Sequence, residues 1–92
     1  MYYILFYKTV ENYVERRAQF RNLHLAYATK FHQEGKLVLA GALANPVDEA
    51  ILVFKGESPK VAEEFATNDP YVLNGLIKEW YVRPWTVVIG NE

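Results

Sequence analysis

Ninety-two residues, 51% of them apolar and 15% aromatic, carry a formal net charge of −1 and no cysteine. That length predicts one domain over residues 1–92. The charge offers no basic field for nucleic acid or anionic membrane, and the missing thiols exclude disulfides and cysteine-ligated zinc.

A core of this size buries about 60–65% of the unfolded surface. The apolar excess therefore predicts a partner that covers the rest. The opening MYYILFYKTV has no basic leader region, and its apolar run is too short to cross a bilayer. With the absence of cysteine, this fits a cytoplasmic protein.

Tyr2–Tyr7 has the aromatic and branched composition of a first strand. Residues 10–36 follow as one predicted helix, with Phe20, Leu23, His24, Tyr27 and Phe31 recurring at helical steps along one stripe. Gly35 marks its C-terminal stop, with Lys30 and Lys36 near the negative end of the dipole. KLVLAGAL reads as a second strand, Asn45-Pro46 as a turn, and AILVFK as a third strand.

Ser58 then caps a second helix, with Pro59 at its first position. Asp69 and Pro70 repeat that pattern and restart a short helical turn. The final segment, from Ile77 to Gly90, reads as a long strand interrupted at Pro84, which places it at a sheet edge or a bulge.

The order β-α-β-β-α-β predicts an α+β, ferredoxin-like protein, a four-stranded antiparallel sheet with both helices on one face. In the first strand Tyr2, Ile4 and Phe6 oppose Tyr3, Leu5 and Tyr7; in the third, Leu52 and Phe54 oppose Ile51 and Val53. In the last, Trp80, Val82 and Val88 oppose Tyr81, Trp85, Val87 and Ile89. A sheet with one wet face alternates apolar with polar. Here both faces are apolar nearly throughout, which predicts a homodimer packed sheet to sheet around a cavity.

Few groups are available for proton chemistry. His24 and His32 lie about 80° apart around the helix and about 12 Å apart along it, too far to share a metal. His32, in the last turn, reads as a solvated residue that complements the helix dipole. His24 lies inside the apolar stripe, and two readings stand. It is a core imidazole with one hydrogen bond, or it is a general base oriented by a carboxylate. Asp69 is a helix cap, a site carboxylate, or both, since capping occupies one oxygen and leaves the other.

Other constellations fail. Ser58 is the only serine and lacks a GxSxG setting, and the five glycines form no phosphate-cradling loop. The EEF and VDE stretches have no third ligand at metal-binding spacing, so no metal site is expected. RNA-recognition domains share the element order but need stacking aromatics in a basic third strand, and AILVFK does not match.

Taken together, RNLHLAY with Arg21 and His24, EGKLVLAGAL with Gly35 and Gly41, NDPYVLNGL with Asp69, Pro70, Tyr71 and Gly75, and VRPW with Pro84 resemble the YciI-like (YCII-domain) family. The resemblance spans essentially the whole chain. It implies a dimeric α+β barrel and a paired histidine and aspartate in a pocket, carried here by His24 and Asp69. It also implies kinship with enzymes that act without a cofactor on ring-hydroxylated or lactone products of aromatic breakdown. Many family members have Gly-Pro where this chain has Gly41-Ala42, so the pocket wall, and with it the substrate, is not transferable.

On that reading His24 and Asp69 are catalytic, and Arg21, Gly41, Tyr71 and Trp85 bind substrate. Arg21 would hold a carboxylate or enolate oxygen, while Tyr71 and Trp85 would wall a flat ligand. Arg21 as a solvated helix residue and the aromatics as ordinary packing are the competing readings. The leading expectation is a cofactor-free lyase or isomerase of a small planar or acidic metabolite. The rival is a non-catalytic homodimer that binds a small ligand or a partner.

Overall fold

A computed structural model describes residues 1–90. Strand β1 (Tyr2–Thr9) leads through α1 (Tyr13–Arg17) and a 3-10 turn (Ala18–Phe20) into α2 (Arg21–Gln33). Strands β2 (Leu37–Ala42) and β3 (Glu49–Lys55), helices α3 (Lys60–Asn68) and α4 (Pro70–Leu73), and strand β4 (Ile77–Trp85) follow. The sheet is antiparallel throughout in the order β2-β3-β1-β4, with the helices on one face. This is the ferredoxin-like plan that the element order predicts.

Alternation along β1 sends Tyr3, Leu5, Tyr7 and Thr9 into the helix side, where all four are buried. Leu52 and Phe54 of β3 join them, and Phe65, Ala62 and Ala66 of α3 close the core from above. Phe54 and Phe65 are fully buried, with ring centroids 5.2 Å apart. Burying a side chain of this size contributes about 1.5–3 kcal/mol by area alone.

Helices α2 and α4 end alike. Lys36 N–H reaches Phe31 C=O and Gly35 N–H reaches His32 C=O, while Leu76 and Gly75 repeat the pattern on Tyr71 and Val72. Such closures need a left-handed residue, and Gly35 and Gly75 supply it at φ 78° and 74°.

Three sequence expectations change. The single helix over 10–36 is broken at Ala18–Phe20, and the break lets Phe20 pack against a second cluster of Tyr13, Tyr71 and Leu76. Leu23 is 62% exposed and not part of the buried stripe, because one residue from His24 is a turn of about 100° around the axis. Strand β4 stops at Trp85 and does not continue to Gly90, because its partner β1 begins at Tyr2, opposite Trp85. Val88 and Ile89 therefore stand in the open, and no strand face can be assigned to them. Pro84 does sit on an edge strand, opposite Tyr3.

The other sheet face carries Ile4, Phe6, Leu39, Ile51, Tyr81 and Trp85, with Phe6 and Tyr81 stacked across strands at 4.9 Å. It is less uniformly apolar than expected: Lys8 pairs with Glu79 at 3.8 Å near one end, and Arg83 stands opposite Ile4.

Candidate active site

Three segments far apart in the chain converge beneath α2. Strand β1 points Tyr7 inward, α2 presents His24 from its first turns, and the break between α3 and α4 places Asp69 between them. Asp69 has extended backbone (φ −66°, ψ 127°) because Pro70 disfavours a helical residue before it. That geometry lets its carboxylate turn back, where Oδ1 accepts the Tyr71 N–H at 3.0 Å and starts α4.

The same carboxylate serves two more partners. His24 Nδ1 lies 2.7 Å from Oδ1, and the Tyr7 hydroxyl donates to Oδ2 at 2.7 Å. Asp69 is fully buried, and three donors on its two oxygens suit a carboxylate, which only accepts. The cap and the histidine partner of the sequence reading are thus one residue in contact with both.

An imidazole that donates Nδ1–H to a carboxylate keeps Nε2 as its bare nitrogen. The ring is held from the side as well, stacked on Tyr71 with centroids 3.8 Å apart and planes within 4°, and edge-on to Phe65 at 6.4 Å. Burial and the Asp69 carboxylate beside it push the Tyr7 phenol far above its ordinary range, so Tyr7 is a fixed donor and not an acid at neutral pH.

A pocket of about 260 Å³ opens at His24, between α1, α2 and the β2–β3 half of the sheet. Its sheet wall is made of Leu52 and the small residues Ala40, Gly41, Ala42 and Ala50, and its helix side carries Arg17, Arg21, Leu25 and Ala28. Tyr7, Tyr13 and Tyr71 complete it. Gly41 contributes backbone only; a Cβ there would meet nothing within 4 Å, and its register opposite Ile51 directs it to the other sheet face.

Of the residues singled out by sequence, the fold brings together His24, Asp69, Arg21, Gly41 and Tyr71. It does not bring in Trp85, which is 45% exposed on the opposite sheet face, beside Met1, Tyr2 and Lys55. Strand periodicity places a residue on a face but not at an end of the sheet. His32 is exposed as expected, yet its Nδ1 lies 2.7 Å from the Leu37 carbonyl.

Sequence reasoning missed Tyr7, Tyr13 and Arg17. Tyr7 had a usable signal: a tyrosine in an inward strand position has a hydroxyl that needs a buried partner. Arg17 lies over the Tyr13 ring at 5.1 Å. Burial pushes the Tyr13 phenol up, and Arg17 partly offsets it. Among the described residues, no group of three or more His, Cys, Asp or Glu side chains is placed to hold a metal ion. No helix among them is long and apolar enough to cross a membrane.

Known proteins resemble this chain in sequence, and solved structures resemble it in fold. Protein YciI of Escherichia coli is 30% identical over 97 residues, covering 96% of this chain and 99% of its own. An uncharacterized protein of Haemophilus influenzae is 29% identical with the same coverage. Among solved structures, the chain resembles 5-chloro-2-hydroxyhydroquinone dehydrochlorinase (TftG) from Burkholderia phenoliruptrix, in complex with 2,5-dihydroxybenzoquinone. The TM-score is 0.78 at 21% identity, over 94% of each chain. At that identity the likeness establishes the fold. The YCII-related domain model matches residues 1–86, and the chain belongs to that family.

Proposed function

We propose that this protein is a small enzyme that uses His24 and Asp69 for general acid–base chemistry, proton transfer or elimination, on a small planar or acidic metabolite. The observation that carries the reading is the 2.7 Å contact between His24 Nδ1 and the buried Asp69 carboxylate at a pocket wall. In this scheme Nε2 removes a proton from a carbon or hydroxyl of the substrate, and Asp69 compensates the imidazolium that forms. The proton then returns to another substrate atom, or leaves with an eliminated anion, and the imidazole is restored. Help of this kind is worth about 10²–10⁴-fold in rate. The fold kinship with a dehydrochlorinase supports a substrate of that general kind.

The test is turnover of 5-chloro-2-hydroxyhydroquinone and of a panel of enolisable hydroxyquinones, read by chloride release and by solvent-deuterium uptake. Activity on at least one compound is expected, with His24→Gln and Asp69→Asn reducing it about 10²–10⁴-fold. Binding without turnover by the native protein would instead make the chain a ligand-binding module.

The second part of the reading is a homodimer built on the open sheet face. Leu39 is 65% exposed and Tyr81 39% exposed on that face, which also carries Trp85. A second copy laid against it covers these side chains, and in such an assembly Trp85 belongs to the interface. Light scattering after size exclusion should give twice the chain mass, and Leu39→Lys with Tyr81→Lys should halve it. A native monomer would overturn this part.

A further inference from the structure

The polar groups facing the pocket are unevenly matched. Asp69 lies behind the wall with its oxygens already engaged by Tyr7, His24 and Tyr71 N–H. In front stand the guanidinium groups of Arg17 and Arg21, and among the described residues neither forms an ion pair with any carboxylate. The Tyr71 side chain is 2% exposed, and its hydroxyl is buried without a hydrogen-bond partner. Arg21 pulls back the burial-raised Tyr71 phenol, by its charge and by its approach to the hydroxyl, yet the hydroxyl has no partner within hydrogen-bond geometry.

A buried hydroxyl without a partner is destabilising, because the water it gave up is not replaced. The other such group among the described residues, Thr9 Oγ1, lies at the β1 bulge and not in this pocket. Around the Tyr71 hydroxyl stand Arg17 and Arg21, which can only donate, and the Tyr13 phenol, which makes no hydrogen bond to it, so the hydroxyl proton has no acceptor.

We propose that Arg17, Arg21 and the Tyr71 hydroxyl form an oxyanion subsite, so that the substrate is an anion with a flat body whose charged oxygens supply the acceptors these three donors lack. A carboxylate on an unsaturated ring and the enolate of a cyclic diketone share that chemistry. Guanidinium groups pair with either, through two parallel N–H donors or through charge. The small-residue wall formed by Ala40, Ala42 and Ala50 leaves room for the ring. The inference rests on this pocket being the ligand site, and it extends the acid–base reading from a reaction to a class of substrate.

The probes are benzoate, the enolate of 1,3-cyclohexanedione, and neutral benzamide, titrated into the native protein with NMR detection at His24 and Tyr71. At least one of the two anions should bind at least about tenfold more tightly than benzamide, with affinity falling as salt rises. Which anion binds more tightly identifies the oxyanion. Arg17→Gln and Arg21→Gln should each weaken anion binding several-fold and leave benzamide unchanged.

Tyr71→Phe is the sharper variant. It removes the unpartnered hydroxyl, so the free protein should keep its melting temperature or gain, while anion affinity falls. A residue with only a packing role would not give that split. Equal binding of benzamide and the anions, no binding of either anion, or arginine variants without effect would overturn the subsite. Binding is measured here, not turnover. An anion held normally by an inactive protein therefore sinks the acid–base reading alone, and turnover without anion preference sinks the subsite alone.

Discussion

His24 and His32 sit on the same helix, and each has its Nδ1 2.7 Å from an acceptor oxygen. A hydrogen bond of that length fixes a ring and its tautomer equally well in both places. The acceptors differ. His24 faces a fully buried carboxylate, and His32 a backbone carbonyl at an exposed helix end. A carboxylate compensates a second proton on the ring with a full charge, whereas a carbonyl offers only a dipole. His24 also borders a pocket and lies stacked on Tyr71, while His32 does not line that pocket. Orientation alone therefore does not distinguish a candidate base; a charged, buried second partner and space for a substrate do.

Three substitutions probe this contrast. The largest effect is expected for Asp69→Ala, which strands the Tyr7 hydroxyl, the His24 ring and the Tyr71 amide at once. Losing a buried charged partner of this kind should cost about 3–5 kcal/mol in urea unfolding. A loss below about 1 kcal/mol would mean that water replaces the carboxylate readily and that the two histidines are closer in kind than described.

Tyr7→Phe should cost about 1.5–3 kcal/mol, the worth of one hydrogen bond to a charged acceptor. It should also alter the alkaline limb. The Tyr7 and Tyr27 phenols are both raised by burial, Tyr27 to about 12, so each favours the folded state by staying protonated there. That stability is complete below the ordinary tyrosine value near 10 and is lost as pH rises toward the folded values. Removing Tyr7 should make the decline above pH 10 shallower by about 1.4 kcal/mol per pH unit. An unchanged slope would mean that Tyr7 ionises freely.

The smallest effect belongs to His32→Gln, which gives up one contact to the Leu37 carbonyl. Its cost should stay near or below about 1 kcal/mol, and it should leave any turnover untouched. Ring ¹⁵N shifts in the native protein should nonetheless show Nδ1–H on both neutral histidines. A different tautomer at His24 would break the contrast at its base.

Much of the frame is legible in the chain because alternation and turn chemistry act locally. Tyr3, Leu5 and Tyr7 alternate against Ile4 and Phe6 whatever the rest of the chain does, and Pro84 can sit only where no ladder hydrogen bond is needed. Asp69-Pro70 starts a helix turn by the same local logic. What is not local is lost. The end of β4 depends on where β1 begins, and the break before α2 depends on Phe20 finding Tyr13, Tyr71 and Leu76. Tyr7 is indistinguishable in pattern from its neighbour Leu5 until Asp69 arrives from elsewhere. Arg17 likewise reads as one of several solvated helix cations, and only the fold places it at the pocket.

A helix of four residues, such as α4, frays freely when isolated. Its first amide, at Tyr71, is nevertheless held by a carboxylate that Tyr7 grips from 62 positions away and His24 from 45. Exchange of that amide with deuterated solvent requires Asp69 to release it, which disturbs contacts reaching into both halves of the chain. Deuterium uptake at this one position should therefore be slow out of proportion to the length of its helix. Its rate tracks the opening of the whole Tyr7–His24–Asp69 cluster, not the fraying of a terminal turn.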